Sequence, residues 1–472
     1  MDSTTCTCRR QSVPFRSIVA LLFLALAAYL ALLAPPITGQ DNVITGTSSG
    51  VASIRIAVAD FKPLAAADPQ IATFKQTFDT TLYADLASAG IFDIVSKSLM
   101  PADNPGAPSE IQLQSYSNAP ASAAYIAFGS LGVSAGKLVV NGFLFDDKNL
   151  QYPQVLAKQY SEEASDDSAR QVAHRFADEI ILHLGGGIPG IAETKIFYVQ
   201  MTGDLTSNVS KEIWEMDYDG ANQHPITHLG TISMSPRISP DNTRLAFAAF
   251  GKYGSQLKMY SLLLNRYIDF PSGNVSSESP AWAPSGNEIA YAAAPRDEFN
   301  IWIADSNGNL PRQITSFRDA SSPTYNPKTG SQIAFISGRT GLPQLYVMNS
   351  GGSGVQLMTD GGYVSSPSWS PNGQAIAFAW NRKYGPGAPG GQDIYIIQVA
   401  PNADGSPAIS QLTHDGGRCD FPSWSPDGRH IVYANSADGR PDHWRVWTML
   451  PDGSQRRPLT GTGADMPNWS WR

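Results

Sequence analysis

The stretch Pro422–Gly428 reads PSWSPDG, and it returns along the rest of the chain as PRISPDN at Pro236, PAWAPSG at Pro280, PTYNPKTG at Pro323, PSWSPNG at Pro367 and PNWSWR at Pro467. Successive starts lie 44, 43, 44, 55 and 45 residues apart. A fixed period of that size marks a repeat architecture. Each copy is followed by an apolar run (RLAFAAF, EIAYAAA, QIAFISG, AIAFAWN, HIVYANS) and, after a loop, by a second run (NIWIADSNG, QLYVMNSGG, DIYIIQVAP, RVWTMLPDG). A short third run ends in threonine (RQITSF, VQLMTDGG, SQLTHDGG, RRPLTGTG). Runs rich in Ile, Tyr, Phe and Trp between Gly, Asn, Asp and Pro predict four short antiparallel strands per unit. Such a unit is a propeller blade.

The two ends of the repeat complement each other. The first unit, KIFYVQM from Lys195 with EIWEMDYDG and HPITH, has strands two to four but no Pro-x-Trp phrase, while the last phrase, from Pro467, has nothing after it. This predicts six blades, with a C-terminal strand closing the ring so that few sheet edges stay unpaired. The bulky residue two after each proline (Ile238, Trp282, Tyr325, Trp369, Trp424, Trp469) is expected to wedge between neighbouring blades.

Upstream, Arg9, Arg10 and Arg16 precede an uncharged apolar run over 18–34, so residues 1–40 read as a signal peptide or, left uncleaved, a signal anchor, and the body is exported. Cys6 and Cys8 precede that run, which argues against a lipoprotein signal. Cys419 is left alone in the body, so no intramolecular disulfide is expected. Residues 41–52 are small and polar and read as a flexible mature N-terminus. Residues 53–184 form an α/β or α+β domain: a strand in SIRIAVADF, a helix opened by Pro69 with Ile71, Phe74, Phe78, Leu82 and Leu86 on one face, four further strands from Phe92 onward, and a closing helix from Asp167 to Leu184 that buries Val172, Phe176 and Ile180. Residues 185–193 read as a Gly-rich hinge or linker ahead of a propeller over 194–472.

An acidic balance of 41 Asp+Glu against 33 Lys+Arg, net −8, argues against a nucleic-acid surface. The G-x-G-x-x-G of Gly185–Gly190 follows a helix and precedes a strand, the reverse of what a dinucleotide site needs. The G-x-S-x-G of 46–50 is followed by a strand rather than the helix of a nucleophile elbow. The seven histidines show no metal spacing; His224 and His228, on one face of an outer strand, read as surface residues. Asp217-Tyr218-Asp219-Gly220 and Pro451-Asp452-Gly453 read as hairpin turns rather than calcium loops. No cofactor, metal or catalytic set is expected.

Numbering the strands of a blade a to d, the a–b and c–d turns are tight and share one face of the ring. The b–c and d–a loops are longer, varied and share the other, and one of them, RKYGPGAPGGQD, accounts for the 55-residue spacing. Charged and aromatic side chains on loops held by a rigid ring make a binding surface. The expected partner-binding residues are Arg318, Asp319, Tyr363, Arg418, Asp420 and Asp465.

An export signal, a small α/β domain, a Gly-rich junction and six Pro-x-Trp-Ser-Pro-Asp-Gly blades, in that order, resemble the TolB family of the Tol-Pal system, with SIRIAVADF, ITSFRDASSPTYNP and RTGLPQLYVMNSGG similar to its phrases. The resemblance implies a monomeric, periplasmic, non-enzymatic protein without cofactors. It would dock the peptidoglycan-associated lipoprotein Pal on its propeller loops and support outer-membrane constriction during cell division and envelope integrity. The resemblance also implies a contact of the mature N-terminal segment with TolA, here Val43, Ile44, Thr45 and on to Val51, although this segment departs from the family pattern in lacking acidic residues after Asp41. Two other readings compete: an exported propeller enzyme, lyase or peptidase-like hydrolase, acting at the channel mouth, which needs a convergent His/Tyr/Arg or metal set there, and a sensor for a small ligand.

Overall fold

The computed structural model describes residues 53–65, 69–203, 209–252, 254–271, 273, 275–316, 318–385 and 391–471. The signal or anchor segment, the 41–52 segment with its G-x-S-x-G, Cys6 and Cys8 lie outside the described residues.

The N-terminal domain is a mixed sheet. Its strands are β1 (Ile54–Val58), β2 (Lys62–Pro63), β3 (Phe92–Ile94), β4 (Tyr125–Ser134), β5 (Lys137–Asp146) and β6 (Gln154–Glu163), and its helices α1 (Pro69–Ser88), α2 (Leu113–Ser117) and α3 (Asp166–Leu184). The order is β3-β1-β4-β5-β6, with β1 parallel to both neighbours and β4, β5 and β6 an antiparallel meander. Proline at the first position of α1 needs no hydrogen-bond partner for a missing N–H. α3 is capped by Ser165, whose hydroxyl accepts from the Ser168 N–H, and carries Asp166 and Asp167 in its positive first turn. The apolar stripes expected from the sequence meet in one core, where Phe74, Phe78, Leu82 and Leu86 of α1 pack with Val172, Phe176 and Ile180 of α3 over the sheet. Gly142 of β5 is where α3 comes closest: a Cβ there would lie 2.7 Å from the Phe176 ring. The opposite face of the sheet is covered by α2, with Tyr116 fully buried.

The remainder is six four-stranded antiparallel sheets, each running a-b-c-d. The last strand, Ala464–Trp469, pairs with Lys195–Thr202, Trp469 opposite Ile196, so blade 1 is built from both ends of the chain and the ring closes as the repeat count predicts. The bulky residues two after each proline are buried and bridge blades. Trp369 packs on Ala334, Leu345 and Val347 of the preceding blade as well as on its own, and Trp282 and Trp424 repeat the arrangement. The indole N–H of Trp282 donates to the Arg237 carbonyl and that of Trp369 to the Thr324 carbonyl, both one blade back and both at 3.0 Å.

Two regularities of the repeat have physical causes that periodicity does not reveal. In five of the six blades the threonine ending the third run is buried and accepts the c-strand N–H through its hydroxyl: Thr227 from Ile213, Thr315 from Ile301, Thr359 from Leu345, Thr413 from Ile394 and Thr460 from Val446, at 2.8–3.0 Å, while in blade 2 Ser277 accepts from the Leu257 N–H at 3.1 Å. The hydroxyl stands in for a strand partner and lets the outer strand stop after two or three residues. Second, every strand a is bulged. The residue before each repeat proline (Ser235, Ser279, Ser322, Ser366, Phe421, Met466) has φ between 49° and 55°, and the ladder slips there. Proline, with no N–H to leave unpaired, suits the bulge.

Candidate functional site: the two faces of the ring

The a–b and c–d turns are gripped by the N-terminal domain. Arg170 of α3 pairs with Asp217 at 3.2 Å and Asp219 at 2.7 Å, both in the c–d turn of blade 1. Between them Tyr218 donates its hydroxyl to Asp85 of α1 at 2.5 Å, and the other Asp85 oxygen lies 2.7 Å from His174 Nδ1. Burial pushes the Asp85 carboxyl above its ordinary range, against the opposing pull of His174 and Tyr218, and the same burial together with Asp85 raises the Tyr218 hydroxyl well above its own. From the a–b turn of blade 6, Arg429 reaches the Gly185 carbonyl at 2.9 Å and His430 Nε2 meets the Ser88 carbonyl at 2.7 Å. The Asp-Gly turns are hairpins, as expected, and two of them also serve as the docking edge.

The Gly-rich junction is correspondingly not a free hinge. The Ala192 N–H donates to Asp178 of α3 at 3.0 Å, Ile191 and Ala192 are buried, and a Cβ on Gly190 would sit 2.1 Å from Asp178 Oδ1. Here glycine allows close approach to a carboxylate. His174 and His430 are buried at this docking edge, whereas His224, as read from the sequence, is exposed.

On the opposite face the expected residues divide into three places. Arg318 is exposed, 3.9 Å from the exposed Glu298, and Asp319 beside it is exposed with φ 49°. Tyr363 and Arg418 open strands a of blades 5 and 6, and the Tyr363 ring lies 5.2 Å from that of Tyr384 in the long b–c loop. Asp420 accepts from Ser365 at 3.1 Å, from Gln392 at 2.9 Å and from the Phe421 N–H, tying the walls of those two blades together. Burial nonetheless raises its pKa, and burial together with the Asp420 charge raises that of the Tyr363 hydroxyl.

Asp465 is a correction. It is 6 % exposed and pairs with Lys211 of blade 1 at 2.6 Å, so it belongs to the wall and not to a loop. Asp420 likewise stands on the wall. The reason is that strand a begins at Ala464 and at Arg418, ahead of both carboxylates, so the chain has already turned down the channel when it reaches them. Both occupy the position two before the repeat proline, which in the other blades holds Met234, Glu278, Ser321 and Ser365. Ser365 and Gln392 were not singled out by sequence. The varying residue two places ahead of each Pro-x-Trp was the available signal for Ser365, whereas nothing in the repeat marks Gln392.

With this geometry in hand, a family model described as the TolB beta propeller domain matches residues 184–472, well over half of the chain. The chain belongs to the TolB family. A second model, the TolB amino-terminal domain, matches residues 43–149. Among curated relatives, the Protein TolB homolog of Chlorobium chlorochromatii (strain CaD3) is 30% identical over 329 residues, 69% of this chain and 70% of that one. The Tol-Pal system protein TolB of Gluconobacter oxydans (strain 621H) is 28% identical over 443 residues, covering 84% of this chain and 93% of that one. The crystal structure of TolB from Acinetobacter baumannii superposes with a TM-score of 0.72 over 89% of this chain and 97% of that one, at 22% identity, a likeness of fold. This TolB-family chain is thus a Tol-Pal-type protein made of a mixed N-terminal domain and a six-bladed propeller.

Proposed function

We propose that this chain is a periplasmic, non-enzymatic binding component of a Tol-Pal system, whose propeller loop face docks the peptidoglycan-associated lipoprotein Pal and so supports outer-membrane constriction at division and envelope integrity. The observation that carries the reading is the asymmetry of the ring. The N-terminal domain grips the turn face at blades 1 and 6, while the loop face presents Arg318, Asp319, Tyr363 and Arg418 at the rim of a channel whose wall holds Asp420 and Asp465. An aromatic and an arginine at a rigid rim are the residue types that dominate protein interfaces. Exposed Arg418 and half-exposed Tyr363 lie on adjacent blades, whose walls Asp420 joins. Membership of the TolB family supports Pal as the partner. The contact with TolA is proposed for the segment from Val43, Ile44 and Thr45 to Val51.

The test is recovery of Pal from an envelope extract on the full exported chain. Arg418→Glu and Tyr363→Ala should each lower recovery about tenfold or more, as hot-spot losses do. Undiminished recovery with both variants would remove the loop face as the docking site.

A further inference from the structure

The turn-face end of the channel is a second concavity, separate from the loop rim. It has a volume of about 360 Å³ and is lined by the six Pro-x-Trp phrases together with Trp471 and Arg237. That volume lies within the ~300–1,000 Å³ of small-molecule sites. Its aromatic walls are held in place rather than free to collapse. The indoles of Trp282 and Trp369 are tied to carbonyls of the preceding blade, that of Trp469 donates to Thr194 Oγ1 at 2.8 Å, and that of Trp471 donates to the Ile238 carbonyl at 3.2 Å. A pocket whose rings are already fixed loses little conformational freedom when it is filled.

Within this apolar cup stands one cation without a counter-charge. Arg237 follows the bulged Ser235-Pro236 step, and among the described residues its guanidinium donates to its own neighbour's carbonyl, that of Pro236, at 2.8 Å, and no carboxylate pairs with it. Burial alone lowers its pKa, to about 10. It is therefore charged at neutral pH. A guanidinium presents five N–H donors in a planar fork matched to a carboxylate, and Arg237 holds that fork half-buried at the pocket wall with no ion-pair partner among the described residues. An anion in the cup would supply that partner.

We propose that this cup is a binding site for a small organic carboxylate with an apolar body, the carboxylate held by Arg237 and the body lying among the tryptophan rings at the turn-face end of the channel. The site does not depend on the Pal-docking reading, because it uses none of the rim residues. It sits in the ring and requires nothing from the N-terminal domain, none of whose residues line it.

The experiment is calorimetric titration of the full exported chain with 4-phenylbutyrate and, as the neutral isostere, 4-phenylbutanamide. The acid should bind at least about tenfold more tightly than the amide, the size of effect expected of a charge-assisted hydrogen bond. Arg237→Gln should abolish that preference, Arg237→Lys should keep part of it, and Arg418→Glu should leave it untouched while lowering Pal recovery. Circular dichroism melts of both Arg237 variants establish that the ring is intact, and the lysine variant carries the test if the glutamine variant does not fold. Equal affinity for acid and amide, no heat with either up to millimolar concentration, or an acid preference unchanged in a folded Arg237 variant would each overturn the assignment.

Discussion

The two faces of the ring are made from the same repeat and differ in what the repeat does there. On the turn face, Ser425 and Asp427 fold one a–b turn through a hydroxyl-to-carboxylate bond and the Arg429 N–H, and Ser239 with Asp241 and Ser370 with Asn372 fold two others the same way. The chain can vary little there. On the loop face the same pattern folds the b–c loop of blade 6, through Ser436, Asp438 and the Arg440 N–H, but the described connections differ in length and charge from blade to blade. Residues that repeat build the ring and its docking edge; residues that do not repeat give each sector of the loop face its own chemistry. The repeated positions should therefore be costly to change, and the unrepeated ones nearly free in stability while expensive in binding.

The largest expected effect comes from opening the ring. A chain ending before Met466 loses the closing strand, the Trp469 wedge, and the bonds from Ile238 N–H to Asn468 and between Trp471 and Asn242. That loss should approach the whole ~5–15 kcal/mol that holds a domain together. Gel filtration should show aggregated material with no cooperative melt; a soluble monomer with the parent melting temperature would break the comparison at its root.

Next is a single wedge. Trp424→Ala empties the space between blades 5 and 6, where the ring packs on Ala377, Ala379 and Ile394, and should cost about 3–5 kcal/mol by denaturant titration. An unchanged midpoint would mean that the wedges are not what joins the blades.

A smaller effect sharpens the contrast through pH. Burial lowers the His430 pKa at the docking edge, so the imidazole stays neutral in the folded chain under conditions where the unfolded chain takes up a proton. Its contribution is then fully present above the ordinary histidine pKa of about 6.5 and is lost as the pH falls below it. His430→Gln, which keeps a side-chain donor for Ser88, should flatten the pH dependence of the melting temperature between neutral and mildly acid solution. A profile as steep as the parent's would assign the dependence to other groups.

The smallest expected effect belongs to the loop face. Arg318→Ala removes an exposed cation 3.9 Å from an exposed Glu298 and should shift stability by less than about 0.5 kcal/mol. A larger shift in the denaturant midpoint would show that the loop face carries structural load.

Much of this was legible because the relevant physics is local or periodic. The stripe from Ile71 to Leu86 names the buried face of α1, and the spacing of the Pro-x-Trp phrases counts the blades. Three things were not legible. The bulge ahead of each proline leaves no mark in hydropathy, since Ser235, Phe421 and Met466 share a backbone conformation and not a side-chain type. The placement of Asp420 and Asp465 depends on where strand a begins, a matter of one or two residues. The embrace of Asp85 by His174 and Tyr218 joins residues 89 and 133 positions apart, whose proximity no spacing announces.

The amino-acid sequence alone determined the ring, the number of its blades and the way it closes, because strand length, turn chemistry and apolar alternation are short-range properties repeated often enough to be read. Only the tertiary structure decided that the Gly-rich junction is clamped, which carboxylates turn into the channel, and that Arg237 stands uncompensated among tryptophans. Burial and electrostatic pairing are set by which distant segments meet, and that is a property of the closed ring rather than of any stretch within it.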